Sequence, residues 1–183
     1  MKLEERFKTF RPNTTSRAFL TNDVGVKCVH YGDIYKNYSN SVVASSKIIN
    51  RFTESVSDDK VFECDSIIFP DCTETIDDFG HFVYIKYDGE PYINGTHTFA
   101  ITCDSNELLY LFFYLQSTFN RLRLQTLLNG STVYQLSFKN LNSFILESFE
   151  TNSQTQQHIV NPMTHLRFSL FSPLPPYLLR TAL

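Results

Sequence analysis

Short apolar runs separated by turn-forming residues dominate the middle of the chain. Residues 61–69, 79–87 and 97–103 are rich in β-branched and aromatic side chains, which favour strands. The Asp-Gly pair at 88–89 and the Asn-Gly pair at 94–95 lie between the second run and the third, and both pairs are typical of tight turns. This pattern predicts a β-rich centre.

Shorter signals precede this centre. Residues 26–31 form one more candidate strand, which we expect to end in a turn at Gly32 and Asp33. The polar stretch 37–46 predicts an exposed loop. The acidic stretch 74–78 predicts a second loop.

The spacing of apolar residues becomes helical in the last part of the chain. Leu108, Phe112 and Leu115 recur at intervals of three or four residues, which predicts one helix or two successive helices over 105–128, ending near Gly130. The run at 143–149 predicts another strand, and 154–171 predicts a weak helix interrupted by proline. The mixture predicts an α+β fold.

Composition narrows the class of protein. The 183 residues are 42% hydrophobic and 19% charged, enough apolar surface for one folded domain. A charged amino terminus and the absence of a long apolar run argue against a signal peptide and a membrane span, so we expect a cytoplasmic protein. The four cysteines are then expected to be thiols.

The net charge of −3 hides an asymmetry along the chain. Residues 1–60 hold ten Lys and Arg against seven Asp and Glu, a balance of +3. Residues 61–183 hold six against twelve, a balance of −6. A nucleic-acid surface would therefore be local and would draw more on the first third of the chain.

The sequence contains no known catalytic or cofactor-binding motif. We therefore predict no cofactor. One enzyme hypothesis is a Mg²⁺-dependent nuclease, although acidic loops are commonly only solvated. Its candidate ligands are Asp65, Asp71, Glu74, Asp77 and Asp78. Ser131 and Thr132 could supply a nucleophile, but they follow Gly130, where a turn is the simpler interpretation.

A zinc site or a Cys-His nucleophile is a third enzyme hypothesis. It would use His81 and His97 with Cys72 or Cys103. No pair among them has the spacing of a zinc motif, and cysteines in strands are usually small core residues. We therefore predict no metal site and no catalytic residue.

Aromatic and basic residues alternate after the first predicted strand. His30, Tyr31, Lys36 and Tyr38 could touch phosphates and base edges. An amphipathic strand with solvated lysines explains the same pattern, and composition alone leaves both interpretations open.

Four segments, in order, resemble the target recognition domain of the specificity subunit of type I restriction-modification systems. Residues 26–38 are similar to the segment that runs from a strand into a Gly-Asp-Ile turn. Residues 63–80 are similar to the block with an apolar strand and a Ser/Thr-Glu-Thr loop, and 95–97 match the start of the third strand. Residues 109–141 are similar to the helical block.

This resemblance implies a non-enzymatic protein that reads a short sequence of double-stranded DNA. It directs a methyltransferase subunit, and through it a restriction subunit, to the site. The implied fold is a single α+β domain over 1–150 with a twisted, mostly antiparallel sheet and the helical segment near 105–128. Residues 151–183 would be a remnant of the spacer helix, short and truncated, followed by a Pro-rich tail.

The resemblance leaves two alternatives open. Self-association or pairing with a second half-subunit would rebuild a reader of a bipartite site. A docking or vestigial fragment would instead bind the methyltransferase subunit without selective DNA binding.

The resemblance also locates three candidate DNA-binding loops. Within them, Glu74 could accept a hydrogen bond from cytosine N4, and Lys36 could donate to guanine or to phosphate. The predicted contact residues are His30, Tyr31, Lys36 and Tyr38 after the first strand, Thr73, Glu74 and Thr75 in the second loop, and Asn94, Thr96 and His97 before the third strand.

Overall fold

Short strands make up most of the fold in the computed structural model, which describes residues 7–103 and 107–148. The strands are β1 (Phe7–Phe10), β2 (Leu20–Thr21), β3 (Val26–Val29), β4 (Ser41–Ala44), β5 (Arg51–Phe52), β6 (Ser66–Pro70), β7 (Cys72–Thr73), β8 (Val83–Lys86), β9 (Tyr92–Asn94), β10 (Thr98–Cys103), β11 (Leu128–Asn129) and β12 (Tyr134–Leu136). The helices are α1 (Tyr31–Asp33), continued by a π-helical turn (Ile34–Tyr38), α2 (Glu107–Gln116), α3 (Thr118–Gln125) and α4 (Phe138–Ser148). All of these elements belong to one unit, Met1–Glu150.

A five-stranded sheet in the order β1-β10-β6-β8-β4 forms the centre of this unit. All five residues of β6 are buried, because this strand lies in the middle of the sheet. Ile68 and Ile85 of this sheet pack with Val29 and Tyr92 of a second sheet, ordered β2-β5-β3-β9. A small third sheet has the order β11-β12-β7.

The predicted sheet character is confirmed. Seven of the nine strand pairings within the described residues are antiparallel, and β3–β9 and β4–β8 are parallel. The helical segment predicted near 105–128 is also confirmed. It is divided at Ser117, whose side chain caps α3 by accepting a hydrogen bond from the backbone N–H of Asn120.

Three predicted features are wrong. Of the strand predicted at 143–149, the described residues 143–148 lie in helix α4, in which the buried residues Leu141 and Phe144 share one face with Phe138. The apolar run is short, and such a run suits a buried strand as well as a buried helix until packing selects one.

The exposed loop predicted for 37–46 is wrong as well. It contains the end of the π-helical turn and strand β4, which pairs in parallel with β8. Ser41, Val42, Val43 and Ala44 are half-buried at the edge of the sheet, and a mixed composition is ordinary for an edge strand. The turn predicted at Gly32 and Asp33 is helical, because both residues lie in α1.

The weak helix predicted at 154–171 and the division of domains at residue 150 concern residues 151–183, which lie outside the described residues. The helices that the structure does describe are all too short or too polar to cross a membrane.

Candidate functional site

A groove of about 540 Å³ lies where four separate segments of the chain meet. One wall comes from α1 and its π-helical turn, another from β7 and the loop after it, and the rest from the β9–β10 turn and β12. The lining residues are Tyr31, Tyr35, Cys72, Thr73, Glu74, Asp78, His97, Val133 and Gln135. Each of the three predicted loops thus contributes a residue to this groove.

Backbone hydrogen bonds hold the groove walls together. The Asp71 N–H donates to the carbonyl oxygen of His97 over 3.0 Å, and the Leu136 N–H donates to the carbonyl oxygen of Asp71 over 2.8 Å. Strand β12 pairs with β7 through Tyr134 and Thr73. The segment 71–73 is therefore fixed between the turn that carries His97 and the strand that carries Gln135.

His30 begins the helix that carries Tyr31. Its Nδ1 accepts a hydrogen bond from the Gly32 N–H at 3.2 Å, and its own N–H donates to the carboxylate of Asp33 at 3.2 Å, which together form a capping box. His30 is only 6% exposed. Burial lowers the pKa of His30, although the negative charge of Asp33 acts in the opposite direction.

We expect acid to destabilise the fold through His30. Its pKa is lower in the folded than in the unfolded chain, so the unfolded chain binds more protons below about pH 6.5, and the free energy of unfolding falls as the pH drops below that value. Protonation of Nδ1 also removes the acceptor for the Gly32 N–H. Urea unfolding of His30→Asn, which keeps a capping oxygen, should show a shallower decline.

His81 is a second histidine that contributes to the acid sensitivity of the fold, and its substitution serves as the control. Burial also lowers the pKa of His81. The free energy of unfolding of His30→Asn should therefore still fall somewhat in acid. His81→Asn should make the decline shallower independently of His30. A decline in His30→Asn as steep as that of the wild type would contradict the role of His30.

Aromatic rings line the first wall of the groove. The Tyr31 ring lies 4.5 Å from the His30 ring and, edge-on, 5.9 Å from the His97 ring. The Tyr35 hydroxyl donates to the carbonyl oxygen of Cys72 over 3.2 Å, and burial raises the pKa of Tyr35. His81 lies outside the groove lining, 5.2 Å from the Tyr35 ring.

The second predicted loop is internally braced, and Glu74 projects from it. Thr73 is buried and its hydroxyl donates to the carbonyl oxygen of Thr75 over 2.9 Å. The Thr75 hydroxyl donates to the carboxylate of Asp78 over 2.5 Å. Glu74 and Thr75 are both exposed to solvent, and Glu74 lines the groove.

Lys36 and Tyr38 lie in the same π-helical turn, but the Lys36 side chain is in solvent and the Tyr38 side chain is in the core. Lys36 is exposed. Tyr38 is 5% exposed, packs in the main apolar core, and accepts a hydrogen bond at its hydroxyl from the Ile49 N–H over 2.8 Å. The turn therefore presents a lysine to solvent and is anchored by a tyrosine.

Asn94 and Thr96 tie the amino-terminal segment to the turn before β10. The Asn94 side chain donates to the carbonyl oxygens of Arg11 (3.1 Å) and Thr98 (2.8 Å), and its Oδ1 accepts from the side chain of Asn13 (3.1 Å). The Thr96 hydroxyl accepts from the Thr15 N–H over 2.8 Å. These side chains are engaged within the protein and support the turn.

The structure brings some of the hypothetical metal and nucleophile residues together and leaves others apart. Among the residues that the structure describes, one set of three side chains has its ligand atoms within 4.8 Å of one another: Asp71, Cys72 and His97. Cys103 lies at the end of β10, opposite Phe7. The set proposed for Mg²⁺ does not converge in this way; Asp65, for example, accepts hydrogen bonds from the Tyr84 hydroxyl (2.6 Å) and the Tyr87 N–H (2.9 Å).

Ser131 and Thr132 are exposed in the connection between β11 and β12, next to Gly130 with φ at +128°. This position fits the turn interpretation. Sequence reasoning did not assign Tyr35 and Gln135 to the site. Tyr35 lies one helical turn after Tyr31, a spacing that could have indicated a shared face, whereas nothing local distinguishes Gln135.

Comparison with protein families finds a match over residues 6–166 to the family described as Type I restriction modification DNA specificity domain. No curated protein matches the chain.

Solved structures give fold-level similarities. The chain is similar to the S subunit of a type I restriction-modification system from M. genitalium, with 14% identity, a TM-score of 0.57, and coverage of 93% of this chain and 39% of that one. It is also similar to a chain from a study of complex assembly and conformational transition of the type I R-M system, with 12% identity, a TM-score of 0.60, and coverage of 92% and 38%. The chain spans about two fifths of the length of these solved chains. These similarities confirm the predicted fold class.

Proposed function

Because this chain belongs to the family of type I restriction modification DNA specificity domains, we propose that it is a sequence-specific DNA-binding module. It directs a methyltransferase and endonuclease complex to its target site by reading base edges in the major groove, where all four base pairs are distinguishable. The chain itself would be non-enzymatic, with methylation and cleavage carried out by the partner subunits in the cytoplasm.

The observation that carries this proposal is the convergence of the three predicted loops. Tyr31, Glu74 and His97 come from separate loops and line the same groove. Direct reading of a base sequence needs several donors and acceptors held in a fixed relation. The backbone hydrogen bonds around Asp71 supply such a fixed relation for the second and third loops.

We assign direct contacts to the accessible residues of the predicted set. Glu74 accepts from cytosine N4, and Lys36 donates to guanine or to a phosphate. Thr75 offers its methyl group, because its hydroxyl donates to Asp78. Tyr31 and His97 contact base edges from the groove walls. In the same proposal, the buried or internally bonded members position these contacts: His30, Tyr38, Thr73, Asn94 and Thr96.

The same proposal assigns different roles to the two parts of the chain. Residues 1–150 form the DNA-reading part, and residues 151–183 correspond to the spacer segment through which the methyltransferase subunit is engaged. The richer positive charge of residues 1–60 supports a DNA surface in the first third, which includes Lys36.

A random-duplex selection followed by fluorescence anisotropy tests this function. We expect one sequence to be enriched and to bind selectively at about 50 mM and about 200 mM salt, with weaker binding at the higher concentration. Enrichment of no sequence, together with loss of all binding at the higher salt, would exclude specific reading by the chain. A stable complex with the methyltransferase subunit under those conditions would favour a docking role.

Glu74→Gln tests the assigned base contact. Removing the charged acceptor should weaken binding to the selected duplex by about tenfold and relax the preference at one base pair. Glu54→Gln is the matched control, because Glu54 is equally exposed but does not line the groove. Equal effects of the two substitutions would contradict a specific role for Glu74.

A further inference from the structure

Three side chains of the kinds that bind transition metals converge at the groove. The carboxylate of Asp71, the Sγ of Cys72 and the imidazole of His97 lie within 4.8 Å of one another. The Nδ1 of His97 is 3.4 Å from the Oδ1 of Asp71. A carboxylate, a thiol and an imidazole form a mixed set of O, S and N donors around one point.

The backbone fixes this arrangement. The Asp71 N–H donates to the carbonyl oxygen of His97 over 3.0 Å, so the two segments are joined directly beneath the side chains. His97 adopts φ of +59°, a left-handed conformation that a non-glycine residue uncommonly adopts. The position of the imidazole over Asp71 thus follows from the conformation of the β9–β10 turn.

One buried oxygen of this cluster accepts no hydrogen bond, although the His97 Nδ1 lies 3.4 Å from it. The Oδ1 of Asp71 is buried and forms no hydrogen bond. A buried carboxylate oxygen without a donor costs free energy, and native structures rarely leave one unsatisfied without a reason. A cation bound between Asp71 and His97 would satisfy it.

A Cys-His nucleophile would need a different arrangement. In such a pair the imidazole activates the thiol, and the carboxylate orients the imidazole from the far side. Here the Cys72 thiol interacts directly with the Asp71 carboxylate, and burial together with this negative charge raises the pKa of Cys72 to about 12. A thiol in this setting is a poor nucleophile, whereas a bound metal ion would deprotonate it.

We propose that Asp71, Cys72 and His97 bind a zinc ion. Zinc accepts oxygen, nitrogen and sulfur ligands together, and three protein ligands leave its fourth position open to water or another ligand. Ligand atoms of a tetrahedral zinc site are roughly 3.5 Å apart, as follows from metal–ligand distances of about 2.0–2.3 Å. Binding would therefore require ligand atoms that now lie within 4.8 Å of one another to move closer by up to about 1.3 Å.

Zinc would change the charge of the groove. Zinc adds a charge of +2, and Cys72 loses one proton on binding it, so the net charge rises by one. This offsets one negative charge in a groove that also contains Glu74 and Asp78. The metal site rests on the geometry of the three ligands and does not depend on DNA binding.

Zinc titration of the chelator-treated full chain tests the proposal. We expect one equivalent to bind, to raise the melting temperature, and to compete with a chromophoric chelator. Cys72→Ser and His97→Gln should each weaken zinc binding at least about tenfold. Cys103→Ser and His81→Gln are matched controls outside the cluster and should bind zinc as the wild type does.

Cobalt substitution identifies the donor atoms. The Co²⁺ form should show a thiolate charge-transfer band and intense visible bands of a tetrahedral site, both lost in Cys72→Ser. Circular dichroism of each metal-free variant verifies folding, and should Cys72→Ser not fold, the wild-type Co²⁺ spectrum decides alone. Failure of the wild type to bind zinc, equal losses in the controls, or a Co²⁺ spectrum without thiolate character would overturn the proposal. A failed DNA selection would leave these results unaffected, because zinc alone is the probe.

Discussion

Replacement of Asn94 by alanine is expected to lower the free energy of unfolding by about 2–4 kcal/mol. The Asn94 side chain is 1% exposed and donates to the carbonyl oxygens of Arg11 and Thr98, while accepting from Asn13. Alanine removes these three hydrogen bonds. The Asn13 side chain keeps its bond to the Asn94 carbonyl oxygen (2.9 Å), but the carbonyl oxygens of Arg11 and Thr98 lose this donor where water has little access. Denaturant unfolding monitored by circular dichroism measures the loss.

Asn37→Ala is the control for Asn94→Ala. Asn37 is exposed in the π-helical turn, so the same chemical change there should alter the free energy of unfolding by no more than about 0.5 kcal/mol. A similarly small effect at Asn94 would show that the hydrogen-bond network contributes little to stability.

Replacement of Gly25 by alanine is the second substitution from which we expect a large loss. Gly25 has φ of +106°, and a Cβ placed there would lie 2.1 Å from the backbone oxygen of Phe52. Backbone atoms cannot rotate away, so the chain must shift where Val26 pairs with Phe52. Strain and overlap each cost about 1–3 kcal/mol. Because β3 leads into the helix that carries Tyr31, the shift should also weaken DNA binding.

Gly89→Ala separates the two contributions. Gly89 has φ of +103°, close to that of Gly25, but no heavy atom lies within 4 Å of the position that its Cβ would take. The two variants share the backbone cost, so the difference between their free energies of unfolding isolates the overlap with Phe52. We expect Gly25→Ala to be less stable by about 1–3 kcal/mol. Equal stabilities in thermal and denaturant unfolding would contradict the overlap.

The elements that sequence reasoning located correctly are those with a strong local signal. Helix α2 follows from the repeat of Leu108, Phe112 and Leu115, and β10 follows from a run of β-branched and aromatic residues. Helix α4 was mistaken for a strand because its apolar run is short. Strand β4 was mistaken for a loop because its pairing with β8, about forty residues away in the chain, leaves no local trace.

The candidate site shows the same limit at the level of single residues. The three loops were located from the family resemblance, and the groove brings Tyr31, Glu74 and His97 together as that resemblance suggests. Which loop residues are accessible was not visible in the sequence. His30 and Lys36 belong to the same loop, yet one caps a helix from inside the protein and the other is solvated.

The sequence by itself determined the α+β class and the family, because these depend on local periodicity, turn residues and the order of motifs. Only the tertiary structure decided that Asn94 bonds inward and that Asp71 and Cys72 meet His97. These contacts join residues 25 to more than 80 positions apart. They depend on strand pairing and on the burial of polar atoms, which no local pattern encodes.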